Sequence, residues 1–177
     1  MAKSHNAQIR HRARELAVQL LYSLDARSGQ ELGESLDVFV SECGFACEEP
    51  CEVRDYMFFL VKGTWSKRPD IDNIMRTVVT GWRPERMVAV DRAVLRMMIF
   101  EGFLEKNVPF AVAISEAVEL ARAFGTEDSG KFVNGVLAKV VRHMSADDEV
   151  SQDIENKDIE NMDMNDAVAT SEITADC

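Results

Sequence analysis

The chain has 177 residues, 46% of them hydrophobic, enough for one globular domain with its own core. No apolar run reaches the roughly 18 residues of a spanning helix, and the polar, basic start has no apolar segment behind it. Neither a membrane span nor a secretory leader is therefore expected, and the cytoplasm is the expected setting. A formal charge of −11 would oppose a polyanionic partner if it were evenly spread, but residues 145–177 hold eleven acids and one base, leaving 20 acids and 19 bases in the rest.

The body reads as all-α, a single helical domain of about seven helices over residues 9–144, preceded by a flexible basic N-terminus, 1–8, that includes Lys3. The first helix runs from about Ile9 to Asp25, with Ile9, Ala13, Leu16, Leu20 and Leu24 along one side, and breaks at Gly29. A second spans about Leu32 to Cys43, a third about Val53 to Trp65. A fourth begins after Pro69 with Ile71, Ile74, Met75, Val78, Val79 and Trp82 on the helical template. Pro84 opens a short turn. The next helix, Val90 to Leu104, is apolar around most of its circumference, with Arg92, Arg96 and Glu101 as exceptions, so it is central. Halves at 1–65 and 66–144 suggest two packed sub-bundles.

Pro109 suits a first helical turn and Gly125 a left-handed terminus, which bounds another helix at 109–124 with Val112, Ala113, Ala117, Leu120, Ala121 and Phe124 as its buried stripe. The last helix starts near Thr126 to Ser129, and Val133, Val136, Leu137, Val140 and Val141 fit one face. Phe132 lies about 100° back from Val133. Its spacing leaves two readings open: packing under the preceding turn, or an exposed ring beside Lys131 that stacks a base.

Residues 145–177 have few large apolar groups and a near-repeat, DIENKDIENMDM, and are expected to be a disordered acidic tail. It is either a solubilising appendage or an autoinhibitory polyanion competing for the basic patch. Unchanged RNA affinity at low salt after deleting 145–177 would leave only the first.

Catalytic candidates are few. There is no P-loop or dinucleotide fingerprint, and His5, His11 and His143 lie near the ends of the body, so a histidine constellation would have to be assembled from its edges. Cys43, Cys47 and Cys51 form C-x3-C-x3-C, an incomplete zinc set interrupted by Gly44 and Pro50, and with Cys177 they read as free thiols. No enzyme activity, metal or cofactor is expected. The first helix offers more: Arg10, Arg12 and Arg14 with Lys3 make a cationic strip that ends at Tyr22, a mix suited to single-stranded RNA. Solvated arginines and a packed tyrosine are the plainer alternative, although basic residues at a helix start oppose the dipole.

RHRARELAVQLLYSLD, WRPERMVAVDRAVLR and VAISEAVELARAFGTEDSGKFVNGVL together resemble the bacterial transcription antitermination family NusB, in order over about residues 9–143. The resemblance implies an all-helical, non-enzymatic protein. It would pair with the ribosomal protein NusE, bind boxA RNA of nascent ribosomal transcripts at the transcribing RNA polymerase complex, and suppress premature termination. By position, Arg10, Arg12, Arg14 and Tyr22 match the family's basic helix and its aromatic, Lys131 and Phe132 match a second RNA-facing element, and Asp128 an acid beside it. Asp91 matches an acid near the NusE interface. The resemblance thus favours the RNA-facing reading of Phe132. His11 stands where arginine is common in the family, a departure that lowers the charge at neutral pH and would make RNA binding mildly pH-sensitive. Some members form homodimers through the NusE surface. Two other readings stay open: the RNA-binding domain of a ribosomal RNA cytosine methyltransferase, which would continue into a Rossmann-like domain, and a scaffold that binds protein only.

Overall fold

The computed structural model describes residues 2–26, 33, 36, 38, 39, 41, 49–81, 83 and 86–144, and every regular element among them is helical. Met1–Val140 form one unit; of the second, Val141–Cys177, residues 141–144 are described and helical. Cys43, Cys47, Trp82, Pro84, the break at Gly29 and the acidic tail lie outside the described residues. Of the expected second helix, residues 33, 36, 38, 39 and 41 are described, all helical.

Helix α1 is Ala2–Ala26, about two turns longer at its start than the periodicity from Ile9 indicated. Residues 2–8 therefore belong to the helix. They carry little apolar pattern, so the stripe read from sequence begins only at Ile9, which is partly exposed, and full burial begins at Ala13. Helix α2, Cys51–Ser66, starts after Pro50; Lys67 ends it and also precedes α3, Arg68–Val78, which has Pro69 in its first turn. Helix α4, Ala89–Ile99, buries every side chain from Ala93 to Ile99 and packs against α1, α2 and α3. It is the central helix that its all-round apolar sequence predicts. It then widens into a π-helical turn, Phe100–Leu104, where the Glu105 N–H reaches the Phe100 carbonyl at 2.9 Å. Helix α5, Phe110–Phe124, packs against α4 and the π turn. Helix α6 covers residues 129–144.

Among the described residues, the buried arginines of this core are paired with carboxylates. Arg96 of α4 donates to Asp25 of α1 at 2.8 and 3.0 Å and to Asp72 of α3 at 2.8 Å, and Arg92 donates to Asp25 at 2.9 Å. Three helices are tied by groups whose charges would be prohibitive alone.

Close approach dictates glycine at Gly63 and Gly125, among others. A Cβ on Gly63 of α2 would stand 1.9 Å from Cζ of Phe100, a buried ring that also packs on Phe59 at 5.3 Å. Gly125, expected to be left-handed, instead has φ −100° and ψ −153°. It is glycine because a Cβ would meet the Ser129 Oγ at 2.5 Å and the Ala121 carbonyl at 2.6 Å. Gly63→Ala is expected to destabilise by about 1–3 kcal/mol in urea denaturation through overpacking. Gly135→Ala, on the exposed side of α6 with nothing within 4 Å of the new Cβ, should stabilise by up to about 1 kcal/mol. Equal effects at both positions would show that Phe100 yields freely.

Candidate nucleic-acid interface

Arg10, Arg12 and Arg14 all lie on α1, but the helix turns them to different fates. Because α1 begins at Ala2, they are interior to it, and the opposition between a basic cluster and the helix dipole does not arise. Arg12 is exposed and pairs with Glu15 at 3.0 Å and Glu49 at 2.8 Å; the Glu49 hydrogen bond, then that of Glu15, raises its pKa. Arg10 is half-buried, its guanidinium 5.1 Å from the Tyr56 ring centre. Lys3 lies within α1, and its side chain is outside what is described.

Arg14 departs from the expectation. It is 2% exposed and forks onto Glu101, with Nε at 2.9 and 3.1 Å and Nη2 at 2.7 Å, while Nη1 reaches Glu116 at 3.1 Å. Burial opposes its charge, but the hydrogen bonds and charge of Glu101 outweigh it and the pKa is raised. Tyr56 also donates to Glu101, and burial followed by that bond holds its phenol well above the usual range. Arg14 is thus a core ion-pair partner, not a group presented to phosphate. Four residues on, Val18 is buried; four further, Tyr22 is 45% exposed. Arg14 and Tyr22 therefore do not share one face, since each step of four advances 40° around the helix.

The start of α6 presents the other candidates. Phe132 is 40% exposed beside exposed Lys131, while Val133 next to it is fully buried. The turn before them is held by Ser129, whose Oγ accepts the Thr126 N–H at 2.8 Å and lies 3.1 Å from the Thr126 hydroxyl. Ser129 is in turn hydrogen-bonded to Asp91, from the first turn of α4. Asp91, expected at a partner interface, is itself buried, at 4% exposure, and its Oδ1 has no partner among the described residues. Its place is inside the body, bracing the α6 start.

Burial raises the Asp91 pKa and the Ser129 bond offsets this only in part. The folded carboxyl therefore holds its proton more tightly than the unfolded one. Asp91 costs stability above its folded pKa and nothing below its ordinary value of 3.8. Asp91→Asn should raise Tm at neutral pH, with the gain shrinking as pH falls toward 3.8. A gain independent of pH would mean that charge is not its source.

Sequence reasoning did not find Glu101, Tyr56 or Glu116 as the partners of the basic helix. A signal existed for Glu101: a carboxylate among the buried positions of a mostly apolar central helix is costly unless it is paired.

Taken together these features describe a small helical binding protein, with an aromatic ring and a cation held out at one braced helix start. The NusB family model matches residues 11–142. A transcription antitermination protein NusB from Symbiobacterium thermophilum is 40% identical over 156 residues, covering 81% of this chain and 99% of that protein. Another from Desulforapulum autotrophicum is also 40% identical, over 74% of this chain and 90% of that one. Among solved structures, T. maritima NusB matches with a TM-score of 0.66 at 30% identity, covering 75% of this chain and 90% of that one. A complex of NusB and NusE with double-stranded RNA matches with a TM-score of 0.68 at 27% identity, over 77% of this chain and 98% of that chain. The chain belongs to the NusB family of transcription antitermination proteins and is not an enzyme. No helix among the described residues is long and apolar enough to cross a membrane.

Proposed function

We propose that this protein, paired with the ribosomal protein NusE, binds boxA RNA on nascent ribosomal transcripts in the cytoplasm and suppresses premature termination by the RNA polymerase complex. The observation that carries the reading is the exposed Phe132 beside Lys131, on a chain whose structural relatives include NusB with NusE on RNA. Lys131, Arg10, Arg12 and Lys3 supply the salt-dependent attraction to phosphate, and Phe132 and Tyr22 the stacking platforms. Arg14 and Asp91 act behind this surface, Arg14 by fixing α1 and Asp91 by fixing the start of α6. A homodimer of the free protein, formed through the surface that takes NusE, would compete with NusE.

Filter binding tests this with single-stranded boxA RNA, its duplex and a scrambled strand, each with and without NusE, at several salt concentrations. Tighter, NusE-enhanced binding of the boxA strand, weakening as salt rises, is the expected result. Equal binding of the scrambled strand would remove the sequence assignment. Preference for the duplex would replace base stacking by shape recognition. A protein that adds nothing to NusE's own RNA affinity would be a protein-only scaffold.

A further inference from the structure

Helices α1 and α5 bring together a donor set that the RNA surface does not use. His11 and Glu15 stand four apart on α1, and Glu116 and Glu119 three apart on α5, so each helix offers two side chains on one face. The His11 Nδ1 lies 2.9 Å from the Glu116 Oε2, and its Nε2 lies 3.8 Å from the Glu15 Oε1. One ligand atom each from His11, Glu116 and Glu119 falls within 4.8 Å of the others. Ligand atoms of a tetrahedral zinc site stand roughly 3.3 Å apart, a difference within reach of the exposed Glu119 side chain.

The charges around this cluster leave room for a cation. Arg14 touches Glu116, but its guanidinium is already matched by the fully buried Glu101. Arg12 lies between Glu15 and Glu49, and Arg10 is stacked on Tyr56. Three guanidiniums thus face five carboxylates, with a histidine ring among them. Imidazole and carboxylate from facing helices, at three- and four-residue spacings, are how helical bundles build metal centres.

We propose that His11, Glu116 and Glu119 bind a divalent transition-metal ion of the zinc class, with solvent completing its coordination. One nitrogen and two carboxylates suit zinc, cobalt or manganese and disfavour the soft copper(I) ion. The ion clamps α1 to α5, fixing the helix that carries Arg10 and Arg12. It stabilises the folded state by mass action.

The test uses the full chain, stripped with chelator and titrated with cobalt(II), with absorption and thermal unfolding as readouts. The expected result is saturable d–d bands without sulfur-to-cobalt charge transfer, and a Tm that rises with cobalt. Both should persist when Cys43, Cys47 and Cys51 are changed to serine together. His11→Gln and Glu119→Gln should each weaken binding by about tenfold or more. Glu119 is exposed, so its variant keeps the test decisive if the His11 variant folds poorly. Undiminished binding in Glu119→Gln, loss of binding in the cysteine variant, or no saturable binding at millimolar cobalt would each overturn the assignment.

Discussion

Glu101→Gln is expected to lower the unfolding free energy by about 3 kcal/mol, the lower part of the roughly 3–5 kcal/mol range for breaking a buried ion pair. Glu101 is 0% exposed and its carboxylate accepts three hydrogen bonds from Arg14 and one from Tyr56. Glutamine keeps the size but withdraws the charge and turns donors toward donors. It leaves a guanidinium that is 2% exposed with Glu116 as its remaining carboxylate, at 3.1 Å. That contact places the loss at the low end. Urea denaturation at neutral pH measures it, with RNA affinity of the folded fraction as the companion reading. A loss below about 1 kcal/mol would put the pair in the class of screened surface bridges. An RNA defect without a stability defect would return Arg14 to the phosphate-binding set.

Phe132→Ala is expected to weaken boxA RNA binding by about 1–3 kcal/mol, the scale of one base stacked on one aromatic ring. With 40% of its surface exposed, the ring contributes less to the core than its fully buried neighbour Val133 does. Thermal unfolding should therefore change little, whereas truncating Val133 to alanine should lower Tm while sparing RNA affinity once folded. Phe132→Trp should retain most of the binding, since stacking asks for a π-face rather than a particular ring. The outcome that defeats the stacking role is a large drop in Tm for Phe132→Ala with RNA affinity unchanged.

The predictions at Phe132 and Glu101 differ in how much of them the letters carried. Phe132 falls beside a buried stripe that Val133, Val136, Leu137 and Val140 define unaided, so its place at the edge of the helix face was legible, and the structure exposes it. Arg14, expected in the cationic strip of α1, is buried. What differed is the neighbour: α4 and the π turn cover Arg14 with Glu101, whereas the ring of Phe132 is left partly in solvent.

Sequence by itself determined the helices, most of their breaks, most of the buried stripes and the central position of α4, because these follow from 3.6-residue periodicity and the local chemistry of proline and glycine; Val112, expected in the α5 stripe, is instead 42% exposed in the first turn of that helix. Only the tertiary structure decided which charges are spare. It set Arg14 on Glu101, drew Asp91 inward onto Ser129, required glycine at 125 through contact with Ser129 rather than a left-handed turn, and set His11 against Glu116 from 105 residues away. Periodicity gives the direction in which a side chain leaves its own helix. The group it meets is fixed by how the helices pack, and for buried charge and close contact that group decides the role.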